Sequence, residues 1–198
     1  MFEYPKKLDI IFDKMYSLGI QPIIVGGFIR DKILHTDSKD IDIELYGLDS
    51  LEILENTLQE FGHINTVGKS FGVCKLEFYD LDLDFSLPRT DSKVAAGHKG
   101  FHVTTNKNLD FKTASSRRDF TINSMGYDVK EKKLLDPFNG QKDIQNKILR
   151  SVDIEKFAQD PLRILRGIQF SSRFNFVLDE KLLTLFKILI EKKALQEL

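Results

Sequence analysis

Apolar residues return at two different spacings along the chain, and the switches between them mark out its elements. Leu8, Ile11, Phe12, Met15 and Leu18 recur every three or four positions between Pro5 and Gly19, which predicts an amphipathic helix lying on a sheet. Ile23 to Val25 is a short β-branched run, followed by Gly26-Gly27, a short helix and a second strand in which Asp40 and Asp42 alternate with Ile41 and Ile43. Period two puts both carboxylates on one face of that strand and both isoleucines in the core. A helix with an inward stripe of Leu51, Leu54, Leu58 and Phe61 follows, capped by Asp49 or Ser50. Gly72 to Phe78 and Leu81 to Leu87 read as a hairpin turning at Tyr79-Asp80, and Asp82 and Asp84 alternate with Leu81, Leu83 and Phe85.

Pro88 to His102 is polar and without period, so a surface loop is expected. Ser115 to Met125 places Arg117 and Arg118 before a turn of helix with Phe120, Ile122 and Met125 to bury. Tyr127 to Val129 and Leu134 to Leu135 form a hairpin across Lys130 to Lys133, Asp136 to Gly140 is a turn, and Ile148 to Val152 is the last strand. From Ile154 the period is helical: Leu162, Leu165, Ile168 and Phe170 should face inward, and Asp179 should cap a helix over Lys181 to Lys192. The fold class is α+β: a sheet-bearing part over residues 1–152, then a helical segment over 153–198.

With 198 residues, 41% of them hydrophobic, the chain can build one sizeable core and an appendage. Thirty acidic against 29 basic residues leave a net charge of -1, so any surface for nucleic acid must be local. The single cysteine, Cys74, excludes an internal disulfide and reads as a small buried hydrophobe in a reducing compartment. No apolar run is long enough for a membrane span, and the opening MFEYPKK has no signal-peptide pattern. A soluble, cytoplasmic protein is expected.

The chemistry concentrates between Ile23 and Glu44. Two glycines let the backbone turn close to a ligand, and the amides opening the next helix suit an anion such as phosphate. A dozen residues on, the Asp40/Asp42 pair needs neutralising, which points to a hard divalent cation. If the hairpin lies beside that strand, Asp84 completes a metal-binding triad, with Asp82 as the fallback. Arg117 and Arg118 offer forked guanidinium groups for a triphosphate. Asp160, Arg163 and Arg166 recur at i, i+3, i+6, either as a surface ion-pair ladder or as an edge that reads a nucleobase. His98 and His102 do not make a metal site, and no catalytic role falls to them.

Four segments, VGGFIRD with KDIDIE, SSRRDFTINSM, DPFNGQKDI and QDPLRILRGIQF, together resemble the class II tRNA nucleotidyltransferase and bacterial poly(A) polymerase family, over about residues 20 to 178. The resemblance implies a nucleotidyltransferase head of the DNA polymerase beta superfamily, with a small mixed sheet that holds magnesium, and a helical neck that reads the incoming nucleotide. It makes Asp40, Asp42 and Asp84 the catalytic, metal-binding carboxylates. Gly26, Gly27, Arg30 and Arg118 would hold the triphosphate, Asp119 and Asn123 belong to the same nucleotide-binding motif, and Asp160, Arg163 and Arg166 line the base pocket. Gln159 replaces a usual glutamate, Gln169 an arginine and His35 a common glycine. The implied reaction is addition of C and A from CTP and ATP to the 3' end of tRNA, which this chain alone should bind weakly. A poly(A) polymerase or a partial adder of C or A shares the same motifs. A nucleotide-binding module without turnover is the rival from another class. Family members continue into body and tail domains, so a head and the start of a neck are expected here.

Overall fold

The computed structural model describes residues 2–48, 50–65, 73–95 and 100–197. Its strands are β1 (Gln21–Val25), β2 (Asp40–Tyr46), β3 (His63–Asn65), β4 (Val73–Phe78), β5 (Leu81–Ser86), β6 (Arg89–Lys93), β7 (Phe101–Thr105), β8 (Gly126–Asp128), β9 (Lys133–Leu135), β10 (Ile148–Leu149) and β11 (Val177–Leu178). Its α-helices are α1 (Asp9–Ser17), α2 (Gly27–Ile33), α3 (Leu51–Leu58), α4 (Phe111–Ser115), α5 (Gly140–Gln145), α6 (Ile154–Ala158), α7 (Leu162–Phe174) and α8 (Glu180–Glu191).

Seven strands make one mixed sheet in the order β3-β4-β5-β2-β1-β8-β9. Only β2 and β5 pair in parallel; every other neighbouring pair is antiparallel. The alternation read from sequence decides which face is core. Ile41, Ile43 and Leu45 of β2 and Leu81, Leu83 and Phe85 of β5 pack on Leu8, Ile11, Phe12 and Met15 of the amino-terminal helix, on Phe28 and Ile29 of α2 and on Leu54 and Leu58 of α3. Burying each of these large side chains contributes about 1.5–3 kcal/mol. The opposite face is covered at one end only, where Ala114 of α4 packs on Ile23, Val25 and Tyr46. Along β2 the rest of that face is acid.

Several expectations are corrected. Leu18 lies past the end of α1 and is 48% exposed, because the helix stops at Ser17. Ser50 stands at the N-cap of α3 without a side-chain cap, while Asp49, the alternative, and Gly72, the expected strand start, lie outside the described residues. The expected loop from Pro88 is in part the antiparallel ribbon β6-β7, whose polar residues hold strand form by pairing with each other; His98 and Lys99 at its tip are not described. The strand expected to be the last, Ile148 to Val152, is β10 (Ile148–Leu149), and it pairs in parallel with β11 from the helical segment, so sheet pairing does not end at Val152. His35, where the resemblance has glycine, adopts φ 57, the left-handed conformation that glycine adopts without strain.

On α7 the buried residues are Ile164, Gly167 and Phe170; Leu165 and Ile168, expected inside, are 44% and 53% exposed. The choice is made by rings the helix must meet. Phe120 lies 5.6 Å from Phe170 and 5.4 Å from Phe157, and Phe157 stacks 5.8 Å from Phe186 of α8. Gly167 admits Phe186: a Cβ there would stand 2.4 Å from its Cζ. Gly167→Ala should therefore cost about 1–3 kcal/mol by overpacking, against the roughly 1 kcal/mol that alanine gains in a helix. A raised denaturation midpoint would mean that the Phe186 ring turns aside freely. Among the described residues no helix is long and apolar enough to cross a membrane.

Candidate active site

The parallel pairing of β2 and β5 sets Asp40 opposite Asp82 and Asp42 opposite Asp84. All four acids share the face turned away from the core. Asp40 and Asp82 are exposed, whereas Asp42 and Asp84 are partly buried. Asp84 is thus the cross-strand neighbour of Asp42, and Asp82, the fallback, faces Asp40. Burial pushes the Asp42 carboxyl above the usual carboxylate range, helped by the charges of Asp84 and Asp40 and opposed by Arg118 and Lys75. Asp84 is held from the other side by Lys75 of β4, whose Nζ donates to its two carboxylate oxygens at 2.7 and 2.9 Å. That hydrogen bond raises the Lys75 pKa. Among the described residues no three acid, histidine or cysteine side chains are grouped to hold a metal ion. Asp84 has the Lys75 ammonium as its cationic partner.

The turn between β1 and α2 sits beside Asp42, since Val25 is its cross-strand partner. Gly26 takes φ 73, ψ -130, and its amide donates to the Met125 carbonyl at 3.0 Å. A Cβ on Gly26 would stand 2.8 Å from Arg118 Nη1 and 3.1 Å from Asp42 Oδ2. Only glycine leaves room for the guanidinium and the carboxylate to lie this close to the turn. Burial and the neighbouring Arg117 charge depress the Arg118 pKa, while Glu44, Asp42 and Asp119 hold it up.

Arg30, Asn123, Asp119 and Arg166 form an inward relay, which Arg118 touches through Nη1 donating to the Asn123 carbonyl at 3.5 Å. Arg30 is buried: its Nε and Nη2 reach Asp31 Oδ1 at 2.8 Å and its Nη1 donates to Asn123 Oδ1 at 2.6 Å. Its guanidinium lies 4.8 Å from the Phe174 ring and 5.3 Å from Phe170, beneath α7. Asn123 Nδ2 donates to Asp119 Oδ1 at 3.1 Å, and Arg166 Nε donates to Asp119 Oδ2 at 2.7 Å. Arg163 is not part of a surface ladder with Arg166. Its Nε is 3.8 Å from Asp160 Oδ2, and its Nη2 donates to the Arg117 carbonyl at 2.7 Å. The Gln159 carbonyl accepts from Lys93 Nζ at 2.5 Å, which ties the β6-β7 ribbon to the helical segment.

Glu44 received no role from sequence, although it continues the Asp40, Asp42 alternation. It is fully buried and accepts from Tyr46 Oη at 2.7 Å and Arg117 Nη2 at 3.1 Å. Arg89, at the start of β6, lies in the same field: burial and the charges of Arg117 and Arg118 lower its pKa, while Asp91 and Glu44 raise it.

The site thus brings together an acidic sheet face, a glycine turn and the Arg118 guanidinium beside that turn. Residues 23–150 match the model of the poly A polymerase head domain, and the chain belongs to that family. It is 38% identical over 178 residues to the CCA-adding enzyme of Francisella tularensis subsp. novicida (strain U112), covering 88% of this chain and 46% of that protein. It is 36% identical over 155 residues to the multifunctional CCA protein of Pseudoalteromonas atlantica, covering 78% of this chain and 36% of that protein. The chain thus spans less than half the length of these relatives. Among solved structures it resembles a CCA-adding enzyme in apo form (TM-score 0.84, 28% identity, 98% of this chain and 46% of that one). It also resembles a CCA-adding enzyme in complex with ATP (TM-score 0.79, 27% identity, 100% of this chain and 44% of that one). The fold is the nucleotidyltransferase fold of these enzymes.

Proposed function

We propose that this chain is the catalytic head, residues 1–152, and the start of the neck, residues 153–198, of a template-independent RNA nucleotidyltransferase that adds C and A from CTP and ATP to the 3' end of tRNA. The observation that carries this is the Asp42–Asp84 register beneath Gly26 and Arg118, which gathers acids and a guanidinium on one open face. The chemistry of the donors suits a hard divalent cation: Asp40, Asp42, Asp82 and Asp84 put carboxylate oxygens on one face, although among the described residues they do not converge as a metal-holding group and Asp84 is paired with the Lys75 ammonium. Asp40, Asp42 and Asp84 would hold magnesium, which when bound lowers the pKa of the attacking 3' hydroxyl and neutralises the triphosphate.

The chain's own groups supply position. Arg118, with the amides that follow Gly26, orients the phosphates for in-line attack by the hydroxyl. Asp160 and Arg163 offer a carboxylate acceptor and guanidinium donors to the base edge, and a wrong base leaves each unpaired at about 1–3 kcal/mol. Arg30, Asn123, Asp119 and Arg166 hold α7 over α2, so that the base reader stays at a fixed distance from the phosphate turn. Consumption of nucleoside triphosphates and tRNA, with one buried cysteine, fits the cytoplasm.

The test is magnesium-dependent incorporation of labelled nucleotide into tRNA lacking its 3' end, at high tRNA concentration, with the product sequenced. C and A in order are expected from CTP and ATP together. Long A tracts from ATP alone would redirect the assignment to a poly(A) polymerase, and no incorporation from either nucleotide would remove the catalytic role. Arg163→Ala should cut the preference between nucleotides by about tenfold, the scale of one lost hydrogen bond to a charged group, and lower the maximal rate less.

A further inference from the structure

The carboxylate strand holds one more acid, and the proposed reaction does not use it. Glu44 follows Asp40 and Asp42 on the same face of β2 and is fully buried. A carboxylate is kept out of water only with partners that satisfy it. It has Tyr46 Oη at 2.7 Å and Arg117 Nη2 at 3.1 Å. Arg117 Nε is itself buried without a hydrogen-bond partner, so the Glu44 contact is what anchors this side chain among the described residues. The Arg117 carbonyl, in turn, accepts from Arg163 Nη2 at 2.7 Å. A continuous path therefore runs from the carboxylate strand through Arg117 to the guanidinium on α7. Arg118, next in the chain, lies against Gly26, as does Asp42.

Building on the proposed function, we propose that Glu44 is a positioning residue for base selection: by anchoring Arg117 it fixes where Arg163 meets the incoming base. This differs from holding phosphate. A buried negative charge opposes a triphosphate through space, so neutralising Glu44 leaves phosphate affinity intact or improved while the base contact loosens. Architecture alone would not separate the two.

Glu44→Gln keeps the size of the side chain and still accepts from the Tyr46 hydroxyl, but it has no charge for the Arg117 guanidinium. Titration calorimetry on the whole chain with CTP, UTP and inorganic tripolyphosphate gives the readout. The preference for CTP over UTP should fall by about tenfold, the scale of a displaced hydrogen bond to a charged group. Tripolyphosphate should bind no more than about twofold more weakly than to wild type. Loss of both affinities in proportion, or an unchanged CTP preference, overturns the inference. Arg117→Lys keeps the charge and loses the fork, so it should show the same loss of preference, and it decides the matter if Glu44→Gln does not fold. An unchanged preference in Arg117→Lys also overturns it. If the wild-type chain takes CTP and UTP equally, or binds neither, the proposed function falls and this inference falls with it.

Discussion

Asp42→Asn should abolish nucleotide incorporation and, in the same protein, raise the thermal midpoint. The two effects share a cause. Burial holds the Asp42 carboxyl above its ordinary range even with Arg118 nearby, so the charged form is disfavoured in the folded chain. An asparagine of the same shape removes that penalty and also removes the anion that a cation needs. The loss of rate should be at least about 100-fold, the scale for deleting one preorganised electrostatic group. The sign of the pH dependence follows from linkage. With the folded pKa above the unfolded one, the folded chain binds more protons between the two values, so stability falls as pH rises through that window. The advantage of Asp42→Asn is therefore full above the folded pKa and vanishes below the unfolded one. Incorporation by the parent should decline as pH falls through the raised pKa, because the carboxylate is the active form. Melting curves and initial rates across acid and neutral pH test both. Retained incorporation would take Asp42 out of the reaction, and a lowered midpoint at neutral pH would mean that the charge of Arg118 outweighs its burial.

Gly26→Ala should impair the protein twice over. At φ 73, ψ -130 an L residue is strained by about 1–3 kcal/mol. The new methyl would also stand 2.8 Å from Arg118 Nη1 and 3.1 Å from Asp42 Oδ2, forcing both from the turn. Gly19 provides the control, since it has φ 73 with nothing within 4 Å of a Cβ. Gly19→Ala should thus lose about 1–2 kcal/mol and keep its activity. Gly26→Ala should lose stability and also about 100-fold or more in incorporation, on the scale of a misplaced catalytic group. Equal activity in the two variants would show that the close approach of Arg118 and Asp42 to Gly26 has no part in turnover. Denaturant midpoints and single-turnover rates separate strain from crowding.

How much of this was legible beforehand differs from element to element. The strand carrying Asp40 and Asp42 could be read because period two is a local property: Ile41 and Ile43 had to go inside, and the acids then had to go outside. The Tyr79-Asp80 hairpin was legible for the same reason, and Phe78 does pair with Leu81. On α7 the helical period was clear but the buried side was not. Apolar residues ring the helix, and Phe120 and Phe186, distant in sequence, selected Ile164, Gly167 and Phe170. The ribbon β6-β7 escaped because β6 is polar throughout and β7 offers only Phe101 and Val103, too short an alternation to mark a strand.

The amino-acid sequence by itself determined the faces, the glycine turn and the four motifs that carry the resemblance, because each depends on neighbours within a few residues. Tertiary structure alone decided which acid faces which, that Arg30 turns inward to Asn123 under Phe174, and that Glu44 meets Arg117. Those are contacts between segments up to 144 positions apart in the chain, the separation of Arg30 from Phe174. Periodicity says which way a side chain points, but strand register and helix docking are settled by the packing of the whole core.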